Sequence, residues 1–198
     1  PPIRCDDPRA LQGRVAPPGD PELAKRVEAR RAQLARGTIL VRMRELERAR
    51  GIVAEVRASA EAAAFEILDL EGRYLDAQIS VRAKRRSEAL SALRELEFDA
   101  ESAGHDRVAL GASVFRLELL VDEARPPVEF EAHLEHARAR AIRLGDDAAL
   151  VNVEFMRAEH QRTVGRWESA FEVAQGALEL ARERLGPEHP EVAYAHDY

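Results

Sequence analysis

The chain has 198 residues, of which 45% are apolar, 33% charged and 5% aromatic, and its net charge is −6. That is a folding chain with room for a core, and the even mixing of acidic and basic residues declares no one-signed surface, so nucleic acid is not an expected partner. No apolar run approaches the roughly 18 residues of a membrane span, and no charged start followed by an apolar run marks a signal peptide, so direct membrane contact is not expected either.

Residues 1–20 hold five of the ten prolines and end in Pro17-Pro18-Gly19-Asp20, which reads as a lead-in or linker. The single cysteine, Cys5, lies there; it has no internal partner and is read as a free thiol or as half of a disulfide to a segment further upstream. The chain opens Pro-Pro-Ile and closes in a helical pattern, as expected for part of a longer protein. Asp20 followed by Pro21 is a helix start: a side-chain acceptor at the N-cap, then a proline whose missing N–H would be unpaired anyway.

From there to the end the abundance of Ala, Leu, Arg and Glu favours helix, because these side chains lose little rotamer freedom in one. A first helix is predicted from about 21 to 43. The next carries Ala49, Val53, Val56 and Ala60, at steps of four, three and four, which is one helical face. After a helix at about 64–83, the same steps return at Ala89, Leu93, Leu96 and Ala100. The basic run Lys84-Arg85-Arg86 between them is read as a helix junction. A helix at about 106–123 is followed by Phe130, Leu134, Ala137 and Ala141, and one at about 147–164 by Ala170, Ala174, Ala177 and Ala181. Gly104-His105-Asp106 and Gly145-Asp146-Asp147 each supply a glycine to end one helix and an aspartate to cap the next, and Pro126-Pro127 starts another. Two helices per period of 40 or 41 residues predict an all-α solenoid of four hairpins, at about 21–61, 64–103, 106–144 and 147–185, with a further helix beginning over 189–198.

The last unit, GRWESAFEVAQGALELARERLGPEHPEVA, resembles the tetratricopeptide repeat in the longer-period variety of kinesin light chain. Gly165 and Trp167 match its turn positions, Ala170 and Ala177 its small-residue positions, and LGPEHPEVA its extended connection. Gly37 and Ala158 match the small position of the first helix. The other units depart from the pattern: Arg44-Glu45, Lys84-Arg85-Arg86 and Arg125-Pro126-Pro127 stand where glycine and an aromatic are expected. Residues 1–36, PPIRCDDPRALQGRVAPPGDPELAKRVEARRAQLAR, are similar to a lead-in to such repeats in the C-terminal region of bacterial, especially myxobacterial, eukaryotic-type Ser/Thr kinases. That resemblance implies an upstream kinase domain and membrane span, with the repeats outside the cytoplasm.

The residues themselves offer no catalytic constellation. There is no phosphate loop, kinase catalytic loop, nucleophile elbow or His-Glu-x-x-His, so no enzyme activity and no cofactor are assigned to this stretch. Glu131, His133 and His136 have helical spacing that suits a shared metal, but no further ligand is fixed by the pattern, and no metal site is assigned; His189 reads as a loop residue. A binding face is the better candidate. The repeat phase places Leu34, Tyr74, Phe115 and Phe155 at equivalent points of the first helix of each hairpin, on the face that lines the inner groove in the resembled family. Arg31, Glu71, Ala112 and Asn152 form a second equivalent set, and Thr38, Gln78, Leu119 and Glu159 a third. Leu34, Tyr74, Gln78, Phe115, Asn152 and Phe155 are the candidate contacts for a protein or peptide ligand. The competing reading makes the aromatics core residues between helices. Trp167 is expected to pack under the preceding helix, with Trp167→Ala costing about 3 to 5 kcal/mol.

The functional expectation is a non-catalytic interaction domain, belonging to a transmembrane Ser/Thr kinase, or alternatively a cytoplasmic scaffold. Self-association through exposed solenoid ends is a third possibility.

Overall fold

The structure, a computed structural model, describes residues 15–121, 127–189 and 192. Cys5, most of the lead-in and nearly all of the helix expected over 189–198 lie outside them. Among the described residues there are helices and no strand: α1 Pro21–Arg42, α2 Leu46–Arg57, α3 Ala60–Ala64, α4 Glu66–Arg82, α5 Arg86–Ser102, α6 Asp106–Val121, α7 Pro127–Leu144, α8 Asp147–Thr163 and α9 Trp167–Leu185. Helices that follow one another pack together, α1 on α2, α2 on α3, α3 on α4, α4 on α5, α7 on α8 and α8 on α9, which is the all-α helical-repeat class of the α-solenoids. The first helices of the hairpins, α1, α4, α6 and α8, are called A helices below; α2, α5, α7 and α9 are B helices.

The described chain falls into two compact units that divide inside α6, between Ala112 and Ser113. In the unit up to Ala112, α1 opens as expected: the Asp20 carboxylate accepts from the Glu22 N–H at 3.0 Å, and Pro21 is the first helical residue. Its core joins Val27, Leu34 and Val41 of α1 to Ala49, Val53 and Val56 of α2, Ala62 of α3, and Leu68, Leu75 and Ile79 of α4. In the unit from Ser113, Arg116 Nη2 lies 3.2 Å from His133 Nε2 and the buried Arg140 donates to Ser113, both joining α6 to α7. Val151 and Phe155 of α8 pack with Ala177 and Ala181 of α9 and with Val192.

The B-helix stripe is the buried face in every hairpin, apart from Ala60 and the half-buried Ala174. Ala60 is exposed because α2 stops at Arg57. The Ser59 hydroxyl then accepts from the Ala62 N–H at 3.3 Å and starts the short helix α3, which spans the junction expected between the first two hairpins. Arg26 and Arg30 of α1 hold α3 in place through Glu61, at 3.3 and 3.1 Å.

One turn geometry recurs at the end of the A helices. Arg44, Lys84 and Gly165, at the same repeat phase, have φ of 62°, 58° and 79°. At each, two backbone bonds close the helix end: Glu45 N–H to Leu40 C=O at 2.9 Å, Arg85 to Ser80 at 3.0 Å and Arg166 to Gln161 at 2.8 Å, with the preceding residue bonding three back. The left-handed conformation costs a residue with a Cβ about 1 to 2 kcal/mol, so only Gly165 adopts it without strain. Lys84→Gly is therefore expected to stabilise the fold by about 1 kcal/mol, after the extra chain entropy of glycine is subtracted, and a urea midpoint that rises checks it. Asp146 caps α8 as expected, accepting from Ala149 N–H at 3.0 Å. In Gly104-His105-Asp106, by contrast, the aspartate is already the first helical residue.

Trp167 corrects the expectation placed on it. It is 64% exposed and Phe171, one turn on, is 62% exposed. At 100° per residue they lie roughly 60° and 100° around α9 from Ala170, whereas Ala177 and Ala181 lie within about 20° of it. The preceding A helix is met by the alanines, which admit a close approach, and not by the large rings. Trp167→Ala is accordingly expected to shift stability by less than about 1 kcal/mol in a thermal or urea melt, in place of the cost of a buried aromatic.

Candidate functional site on the A-helix face

Arg31 of α1 and Glu71 of α4 are one repeat apart in sequence and meet in space. Nε of Arg31 donates to the two carboxylate oxygens at 3.1 and 2.9 Å, and Nη2 donates to Oε1 at 2.8 Å. Nη1 reaches back to Glu28 at 2.9 Å, and the guanidinium carbon stands 5.8 Å from the Phe65 ring centroid. From the turn before α6, His105 Nε2 lies 3.3 Å from Glu71 Oε1, so it donates when the proton sits on Nε2. All three side chains are mostly buried. Burial pushes the Glu71 carboxyl up, but the bonds from His105 and Arg31 outweigh it and hold the group below its ordinary range. Burial likewise pulls Arg31 down, and its two carboxylate partners more than restore it. Nothing in the spacing of His105 announces this role, since a polar residue in a helix junction ordinarily reads as solvated. The Arg31–Glu71 half was available as a signal: opposite charges one period apart at the same helical phase.

Of the six candidate contacts, two belong to the core. Leu34 lies midway between Val27 and Val41, two turns from each on the inward stripe of α1, and is 7% exposed. Phe155 follows Val151 by one turn, is 5% exposed and packs on Ala177 and Ala181. Both are corrections to the groove assignment: their helical phase is that of the core, and a ligand cannot reach them. Tyr74, Gln78, Phe115 and Asn152 are half-buried. Tyr74 lies across α6 at Gly111, where a Cβ would stand 2.5 Å from the ring Cζ, so the absence of a side chain there makes the seat for the phenol ring. Glu71, Tyr74 and Gln78 follow one another at i, i+3 and i+7 and form one ridge of α4. On α1 the Thr38 hydroxyl is turned inward to the Leu34 carbonyl at 3.1 Å. Phe115 and Asn152 belong to the unit from Ser113.

The weighed metal constellation is not assembled. Glu131 lies 3.9 Å from Arg157 Nη2, His133 is beside Arg116, and His136 is exposed. Among the described residues no three His, Cys, Asp or Glu side chains converge as metal ligands, and no helix is long and apolar enough to cross a membrane. Set against known proteins, the chain matches no family model, no curated protein and no solved structure.

Proposed function

We propose that the chain is a non-catalytic protein-interaction domain of tetratricopeptide type that holds extended or helical peptide on the A-helix face of each unit, taken by itself. Tyr74 and Gln78 are the contacts in the unit up to Ala112, and Phe115 and Asn152 those in the unit from Ser113. The observation that supports this reading is the α4 ridge. An aromatic and an amide stand half-buried beside a charge network that is already paired, so a ligand meets side chains held in place and loses little by ordering them. In the same proposal the domain is the sensory or docking part of a bacterial transmembrane Ser/Thr kinase, with ligand binding changing how kinase domains associate.

Fluorescence anisotropy with peptides selected on a tiled array tests the face. Tyr74→Ser is expected to weaken a peptide selected on the unit up to Ala112 at least about tenfold, and Phe115→Ser one selected on the unit from Ser113, while the helical circular dichroism is kept. Undiminished binding by folded variants would remove this site. The reading frame upstream of Pro1 tests the kinase link: a membrane span and a kinase catalytic loop support it, and their absence leaves a cytoplasmic scaffold as the better account.

A further inference from the structure

His160 sits fully buried on α8, and neither ring nitrogen has a hydrogen-bond partner among the described residues. Its ring is stacked on Phe130 of α7, with centroids 3.9 Å apart and 15° between the planes. The repeat phase makes the position unusual. Its counterparts one, two and three periods earlier are Leu120, Ile79 and Ile39, all aliphatic, and Leu120 and Ile79 are themselves buried. In the fourth hairpin a titratable ring thus occupies an aliphatic site. A neutral imidazole with both nitrogens desolvated is costly there, and a charged one far more so.

The charges acting on His160 come from both sides. Glu131 on α7 favours the imidazolium, but Arg157 Nη2 stands 3.9 Å from that carboxylate and draws on it as well. Arg166, in the turn before α9, opposes the imidazolium, and the buried residues of α9 are Ala170, Ala177 and Ala181, none of which titrates. The guanidinium of Arg140, a buried charge of α7, is turned to Ser113. Burial, the largest influence, pushes the His160 pKa below its ordinary value, with Glu131 pulling the other way and Arg166 adding to the fall.

We propose that His160 is an acid-sensitive joint between α7 and α8: the neutral ring fills the aliphatic position and stacks on Phe130, and the protonated ring, with no partner among the described residues, releases α8 from α7. The sign follows from linkage. A base whose folded pKa is depressed contributes fully above its unfolded value of about 6.5, and stability falls as pH drops below that. At pH about 5.5 an unfolded-state imidazole is about ten to one protonated, which sets the ceiling on the effect.

Hydrogen exchange, corrected for intrinsic rates, tests it in the whole chain. Protection of α8 amides is expected to fall by up to about tenfold between pH of roughly 7.5 and 5.5, and His160→Leu, which restores the residue type of Leu120, is expected to abolish that fall. Equal pH slopes in the two proteins would overturn the proposal. Should the leucine variant fail to fold, the Cε1–H resonance of His160 in the unaltered protein decides: a titration below the ordinary histidine range supports the joint, and one at or above it overturns it.

Discussion

Phe130→Ala is expected to cost about 3 to 5 kcal/mol, the largest loss of any single substitution considered for this protein. The ring is fully buried and lies flat against His160, so its removal deletes the apolar contact between α7 and α8 and leaves a space beside a desolvated imidazole. The repeat itself supplies the counter-expectation. Ala170 is the equivalent residue one period later, and α9 packs well around it. If α8 could close onto an alanine at 130 in the same way, the loss would be below about 1 kcal/mol, because the cost of a large-to-small change depends on how far the site can collapse. A urea titration separates the two: the midpoint should fall steeply at an unchanged slope.

Glu71→Ala is the second large effect, expected at about 2 to 3 kcal/mol. The substitution leaves Arg31 and His105 without the carboxylate that both of them use. Removing one member of a fully buried pair costs about 3 to 5 kcal/mol, and the residual exposure of this network reduces that. In a double-mutant cycle, Arg31→Ala combined with Glu71→Ala should cost clearly less than the sum of the two, since each alone strands the other. Strict additivity would mean that the pair contributes nothing to stability. The pH dependence adds a second check. With a folded pKa depressed below the ordinary glutamate value of 4.5, Glu71 contributes fully above that pH, and its contribution is lost as pH falls through the folded value. His160 acts in the separate window below about 6.5. Glu71→Ala should therefore flatten the acidic limb of a stability profile and leave the limb near neutrality, and His160→Leu should do the reverse.

These two sites differ in how far they can be read without a structure. Phe130 is on the B-helix stripe, whose steps of four and three place it inward whatever surrounds it. Glu71 is on an A helix, and there the pattern is ambiguous. α4 buries Ile67, Leu68, Leu70, Leu75, Ala77 and Ile79, residues spread around most of its circumference, because α2 and α5 lie on two of its sides and α1 and α3 on others. A helix covered on several sides has no single apolar face. Periodicity therefore could not separate Leu34 and Phe155, which are core, from Tyr74 and Phe115 at the same repeat phase, which keep part of their surface. The difference arises from local neighbours, such as the bare Gly111 that admits the Tyr74 ring.

By itself, then, the sequence determined the all-α class, the period, the B-helix core and several caps. Each rests on short-range physics: the 3.6-residue helical turn, side-chain entropy, and the conformational freedom of glycine at Gly104, Gly145 and Gly165, whose φ values are 71°, 63° and 79°. Only the tertiary structure decided that Arg44 and Lys84 keep the same left-handed turn without glycine, because a strain of about 1 to 2 kcal/mol per residue is small beside the packing of the two helices it joins. The same holds for the exposed Trp167, for the pairing of Arg31 with Glu71 and His105, and for the stacking of His160 on Phe130. In each of these the outcome depends on which residue, distant along the chain, stands opposite, and on whether it offers a partner, a space or nothing.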